Sequence, residues 1–280
     1  MPDEPGLAFN EVAEQYDRVR PGYPPSLVES ACAIGGLRAG SEVVEIGCGT
    51  GKLTKLLVER GLVIDAVDPG SDMVRIARRK VGGAPVRFHV DRFEDVKLPF
   101  GTFAAAFSAM AFHWVDPAVG WSKVALLLRP SGMLALLGHA SGYSEDRCRA
   151  VDEEIHAAWQ QVVPDSAWRP HGPEEIDEAV QARRGNVSEL WSFLSQQDLQ
   201  HPEAAELFGD VRIETFRIET DQTANDLLAV IRTTSTYLQL DGHARRQLED
   251  RIRDVIQRTG GLYQGVDLVA LVTARACPTR

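Results

Sequence analysis

Two hydrophobic periods alternate along the first half of the chain, and their alternation predicts the fold class. Apolar runs at Glu42 to Ile46, Leu62 to Val67, Pro85 to Val90, Thr102 to Ser108 and Met133 to Leu137 have the length and composition of buried strands. Between them the apolar residues recur at helical spacing. Leu53, Leu56 and Leu57 form the inward face of one helix; Met73, Val74 and Ala77 form that of the next, with Arg75, Arg78 and Arg79 outward. Ala118 to Leu128 reads as a third helix, leading through the turn Arg129-Pro130-Ser131-Gly132 into the fifth strand. Strands alternating with helices predict a doubly wound, mostly parallel sheet covered on both faces.

Two helices precede the sheet. Phe9, Val12 and Tyr16 share a face over residues 8 to 20, and Pro21-Gly22-Tyr23-Pro24-Pro25 separates them from a helix over Ser26 to Ile34. After the fifth strand the alternation stops. Val151, Ile155, Ala158, Trp159 and Val162 mark one helix, and Glu174 to Arg184 another whose acids lead and whose Arg183-Arg184 close it, complementing the helix dipole. Residues 187 to 199 and 202 to 208 are also expected to be helical. A strand at Val211 to Glu219, helices striped by Leu227, Leu228, Ile231 and Leu238 and by Leu248, Ile252, Val255 and Ile256, and a strand at Val266 to Thr273 complete the chain. The expected organisation is a core of residues 1–140 plus 209–280, and a helical lid of residues 141–208 rich in aromatics (Trp159, Trp168, His171, Trp191, Phe193).

Composition narrows the partners. A net charge of −10 and a pI near 5.2 argue against nucleic acid, which requires a broad basic surface, and favour a small molecule. Cys32, Cys48, Cys148 and Cys277 contain no Cys-x-x-Cys pair, so no metal site is expected and the thiols read as reduced. The acidic start Met1-Pro2-Asp3-Glu4-Pro5 lacks the features of a signal peptide, and no run reaches membrane-spanning length. A cytoplasmic monomer or homodimer, away from membranes, is expected.

The chemistry concentrates in Glu45-Ile46-Gly47-Cys48-Gly49-Thr50-Gly51, a glycine-rich turn from the first strand into the first sheet helix. Such a turn accommodates a dinucleotide or S-adenosylmethionine. The dinucleotide fingerprint needs a later glycine where Lys52 stands. Glu45 would repel a pyrophosphate but suits a ligand carrying an ammonium and a sulfonium. Asp68-Pro69, ending the second strand, can accept ribose hydroxyls and suits either ligand.

With Asp68 downstream, the stretch Val44 to Gly51 resembles the signature of class I S-adenosylmethionine-dependent methyltransferases, in their small-molecule, type 11-like branch. The resemblance implies a Rossmann-like, seven-stranded sheet, S-adenosyl-L-methionine as cofactor and S-adenosyl-L-homocysteine as product. It also covers the leader Val12 to Pro24, and implies Tyr16 and Arg20 near the methionine end, Arg20 toward its carboxylate. Met73 is expected to cover the adenine or to be core. In this family the turn after the third strand meets the adenine edge; the usual aspartate position holds Arg92, so recognition is expected through backbone groups of Phe93 and Glu94. Ser108 and Ala109 close the fourth strand beside the donor, and Phe112-His113-Trp114 follows as in methyltransferases acting on small molecules. The Asn/Asp-Pro-Pro-aromatic sequence of nucleic-acid amino methyltransferases is missing.

His113 and His139, at the ends of the fourth and fifth strands, are the candidate catalytic residues, as base or orienter. Methyl transfer requires no metal. The expected acceptor is a natural product or another aromatic or carboxylic metabolite of secondary metabolism, with O-, N- and C-methylation all open. The alternatives are an NAD(P)-dependent dehydrogenase and a cofactor-binding protein without turnover.

Overall fold

The structure is a computed structural model that describes residues 5–140, 142–164, 166 and 168–278. After a 3-10 segment Pro5–Val12 come α1 (Ala13–Val19) and α2 (Pro25–Gly35), then β1 (Glu42–Ile46), α3 (Lys52–Glu59), β2 (Val63–Val67), α4 (Ser71–Val81), β3 (Val86–His89), β4 (Phe103–Ala109), α5 (Pro117–Leu127) and β5 (Leu128–His139). Four helices follow, α6 (Asp146–Gln160), α7 (Pro173–Arg183), α8 (Val187–Ser195) and α9 (Ala204–Leu207). The chain ends with β6 (Phe208–Thr223), α10 (Ala224–Ile231), α11 (Ser235–Gln239), α12 (Gly242–Arg258) and β7 (Leu262–Ala276).

The seven strands lie in the order β3-β2-β1-β4-β5-β7-β6, with β7 antiparallel to both neighbours and the first five strands parallel. Strand order reverses between β1 and β4, so their C-terminal ends open a crevice where ligands of doubly wound sheets bind. Side-chain alternation divides the core between the two faces. Val43, Ile64, Ala105, Phe107, Ala135 and Leu137 pack against α2, α3 and α4. Val44, Ile46, Ala106, Leu134 and Leu136 pack against α5, α7 and α8.

The expected lid occupies two packing environments. Leu190, Trp191 and Leu194 of α8 are buried in the main core, whereas Ile155 and Trp159 of α6 join Leu228, Ile231, Leu248, Ile252 and Val255 of the tail helices in a separate cluster.

Several boundaries differ from the sequence expectation. The turn placed at Arg129 to Gly132 is part of β5, which already pairs with β4 at Leu128 and absorbs the irregularity as a register shift. The last two strands are 16 and 15 residues long because they pair with each other beyond the sheet; β6 alternates in burial on either side of the exposed pair Glu214-Thr215, where apolar content alone marked only its middle. The stripe from Leu227 to Leu238 is two helices, since the Thr234 hydroxyl accepts the Tyr237 N–H and caps a new one. α8 ends at Ser195, with Gln196 in the left-handed region.

Candidate active site

The glycine turn follows β1, and its three glycines meet different demands. All have positive φ: 72° at Gly47, 51° at Gly49 and 77° at Gly51. A Cβ on Gly47 would stand 2.2 Å from the Ala111 Cβ, and one on Gly51 2.9 Å from the Ala77 Cα of α4. Those two are close-packing positions. Gly49 has nothing within 4 Å and faces open space. The N–H groups of Gly47 and Cys48 donate to the Val67 carbonyl at 2.8 and 3.0 Å, binding the turn to the end of β2. Cys48 and Thr50 are buried, and burial pushes the Cys48 thiol well up.

Asp68 completes that junction. Its Oδ2 accepts the Gly49 N–H and its Oδ1 the Gly70 N–H, both at 2.8 Å, while Pro69 carries the chain between them. Burial nevertheless raises its pKa. Glu45 is more extreme. It is 1% exposed, and burial pushes it up to about 8, with Thr54 partly offsetting the shift and the Asp68 charge adding to it. Its Oε2 has no hydrogen-bond partner among the described residues. A buried orphan oxygen is costly unless a ligand satisfies it.

The N-terminal segment lies over this turn. Lys52, which stands where a dinucleotide site has glycine, donates from Nζ to the Asp17 carbonyl at 2.8 Å. Asn10 and Asp72 bond reciprocally, Asn10 Nδ2 to Asp72 Oδ2 at 3.0 Å and the Asp72 N–H to Asn10 Oδ1 at 2.7 Å. Phe9 stacks edge-on to both Tyr16 and Trp114, their centroids 5.8 Å away. Met73 packs with Ala13, Ile76, Phe9 and Tyr16, beneath this cap. Tyr16 has its pKa raised by burial and senses both Arg20 and Asp68. Arg20 lies 5.4 Å from the Tyr16 ring and donates from Nε to the Thr233 hydroxyl at 2.9 Å and from Nη2 to the Thr233 carbonyl at 3.0 Å.

The β4 end forms the opposite wall. Met110 is left-handed (φ 51°) although it is not glycine, and this unusual backbone turns the chain into Phe112-His113-Trp114. His113 is neutral: burial pushes its imidazole down to about 4, and its Nδ1 has no described partner. The Ser108 hydroxyl donates to the Ile46 carbonyl at 2.8 Å, joining β4 to β1, so its side chain serves the sheet and Ala109 beyond it is half-buried. Phe93 is in the core, with Lys123 Nζ 5.3 Å from its ring. The Glu94 carboxylate accepts the Asp116 N–H at 2.9 Å and Arg92 Nη2 at 3.2 Å, and its carbonyl accepts Lys123. These contacts fasten the turn to the start of α5 and to Lys123.

His139 ends β5 with its ring 6.4 Å from Tyr23 and its Nδ1 3.8 Å from Asp267 Oδ2. Burial lowers its pKa, against the pull of Asp267. Tyr23 is also pushed up by burial and senses Tyr16, Glu45 and Arg20. The structure thus gathers Tyr16, Arg20, Tyr23, Glu45, Asp68 and His139 around one crevice, with His113 on its β4 side. Sequence reasoning missed Tyr23, Thr233, Asp17 and Asp267. A signal existed for Thr233 in the run Thr233-Thr234-Ser235-Thr236, which interrupts an apolar stripe as a capping sequence does.

S-adenosylmethionine fits these residues. Its ammonium matches the orphaned Glu45 oxygen, its ribose hydroxyls match Asp68, its carboxylate matches the Arg20 side, and Gly49 leaves space for its body. A pyrophosphate would face the carboxyl groups of Glu45 and Asp68. No cluster of three His, Cys, Asp or Glu suited to a metal occurs among the described residues, and no described helix is long and apolar enough to cross a membrane.

The methyltransferase-domain family model matches residues 43–132. An uncharacterized methyltransferase of Mycobacterium tuberculosis is 37% identical over 131 residues, 47% of this chain and 51% of that protein. An uncharacterized methyltransferase of Geobacillus kaustophilus is 30% identical over 168 residues, 56% of this chain and 77% of that protein. A solved structure from Anaeromyxobacter dehalogenans, provisionally assigned as a type II methyltransferase, superposes with a TM-score of 0.57 at 22% identity, covering 92% of this chain and 97% of that one. The chain spans about half the length of the mycobacterial relative. The segment matched by the family model holds the glycine turn, Asp68 and Phe112-His113-Trp114, and stops before His139. With its strand order and crevice, the chain belongs to the class I S-adenosylmethionine-dependent methyltransferases.

Proposed function

We propose that this chain transfers a methyl group from S-adenosylmethionine to a small-molecule acceptor, a natural product or another compact metabolite. The observation that carries the reading is Glu45, a buried acid whose Oε2 has no partner among the described residues, beside an open glycine turn. When bound, S-adenosylmethionine supplies an electrophilic methyl group on a positively charged sulfur. Glu45 and Arg20 would hold its amino-acid end, Asp68 its ribose, and backbone groups at Phe93 and Glu94 its adenine edge. Tyr16 and Tyr23 exclude water from the crevice, so acceptor and donor are aligned in a site of low dielectric. His113, neutral at physiological pH, offers a lone pair to orient an acceptor hydroxyl or amine, or to take its proton. The acidic surface supports a small acceptor over nucleic acid.

Calorimetry tests the donor. S-adenosylhomocysteine is expected to bind and NADH not to bind; the reverse would establish the dehydrogenase reading. Binding with no methylation product across a broad metabolite panel, by mass spectrometry, would favour a binding protein without turnover.

A further inference from the structure

His139 has two sides. One faces Tyr23 and the crevice; the other lines a cavity of about 170 Å³ between the end of β5, the start of β7 and α6. That volume is comparable to a cavity that holds benzene. Tyr143, Trp168 and Tyr263 supply aromatic walls, and Asp152 and Asp267 supply carboxylates. No lysine or arginine is among the lining residues. Asp152 is fixed, accepting the Tyr263 hydroxyl at 2.8 Å and the Ser144 hydroxyl at 2.5 Å. Asp267 is held by neither hydroxyl, and it faces the His139 Nδ1 at 3.8 Å, an imidazole whose charged form burial disfavours.

We infer that this cavity is the acceptor's recognition pocket and that it selects a compact cationic group, an amine or quaternary ammonium, seated against Trp168 and Tyr263 and facing Asp267. The inference rests on the methyltransferase reading and adds the acceptor class to it. Aromatic faces attract cations through their quadrupole, and the attraction is larger in a partly desolvated site. Two carboxylates, in a lining whose one basic group is the His139 imidazole, add a field of the same preference, and a carboxylate ligand would be repelled. The larger groove between α7 and α8, about 570 Å³, differs in chemistry. It is lined by Arg169 and Arg183 as well as Glu175 and Glu178, and none of its residues lies on the sheet.

Choline and its uncharged isostere 3,3-dimethylbutan-1-ol separate charge recognition from shape. Each is titrated by calorimetry into the full chain saturated with S-adenosylhomocysteine. Choline is expected to bind about tenfold or more tightly than the alcohol. Asp267→Asn is expected to remove most of that preference, and Trp168→Leu to weaken choline alone. Equal affinities, binding of neither probe, or a preference that survives both substitutions overturns the inference. The S-adenosylhomocysteine titration reports separately: its failure in the unmodified chain strikes the donor reading, and its success in each variant shows that the variant is folded.

Discussion

Glu45 trades stability for a ligand site. Its folded pKa of about 8 exceeds the ordinary 4.5, so between those values the folded chain keeps a proton that the unfolded chain has released. Stability therefore falls as pH rises from 4.5 to 8, by about 1.4 kcal/mol per unit at the steepest before relaxation. Glu45→Gln is expected to abolish that slope and to be more stable than the parent at pH 8, by up to about 4 kcal/mol, and nearly equal at pH 4.5. The same variant should bind S-adenosylhomocysteine at least about tenfold more weakly, because an amide, unlike the Glu45 carboxyl, cannot release a proton to face a bound ammonium as a carboxylate. Denaturant titrations at the two pH values and one calorimetric titration check both halves. Weaker stability at pH 8 would mean that Glu45 is satisfied within the protein.

His113 has the opposite sign. Below 6.5 the unfolded chain takes a proton that the folded imidazole refuses until about pH 4, so this residue costs stability as pH falls through that window. Since His113 stays neutral above it, kcat/KM is expected to show no inflection near 6.5 from this residue. His113→Ala should lower kcat/KM by about 100-fold if the ring contacts the acceptor. Turnover unchanged with the true acceptor would remove it from the site.

At the scale of elements, the cap formed by the N-terminal segment and α1 is held by side chains on α3 and α4, and this part of the site was only half legible. The positions of Tyr16 and Arg20 could be inferred because the leader has a recognisable pattern. Their anchors could not, because Lys52 with Asp17, and Asn10 with Asp72, lie 35 and 62 residues apart and carry no local periodicity. Lys52 was readable as the absence of a glycine, and the structure adds its positive role as a latch on Asp17, which Lys80 also reaches. Burial opposes the Asp17 charge, but these lysines outweigh it and hold its pKa below the usual range. Asp17→Asn should loosen the cap by about 1 kcal/mol and speed S-adenosylhomocysteine dissociation about fivefold, measured by stopped-flow fluorescence. A dissociation rate equal to the parent's would show that Asp17 does not hold the cap over the ligand.

For the whole molecule, local periodicity was enough to read the doubly wound half, since each strand and helix there buries a face against its sequence neighbour. The tail was less legible because α6 packs with α10 and α12 across more than sixty residues. This satellite core nevertheless touches the site. Glu249 of α12 holds Arg232 at 2.6 Å and the Tyr237 hydroxyl at 2.6 Å, fixing the break between α10 and α11 from which Thr233 reaches Arg20. The break therefore transmits the integrity of the satellite to the crevice. Truncating the fully buried Ile252 to Ala is expected to cost about 3 kcal/mol, and the loss should be local. Hydrogen exchange followed by mass spectrometry should accelerate in α6, α10, α11 and α12 and remain at parent rates in β1, β2 and β4. S-adenosylhomocysteine, by binding Arg20 in place, should restore part of the protection in α10 and α11, because a ligand that binds only the ordered arrangement stabilises it by mass action. Uniform acceleration through the sheet would show one cooperative unit, and no restoration by ligand would separate the satellite from the site.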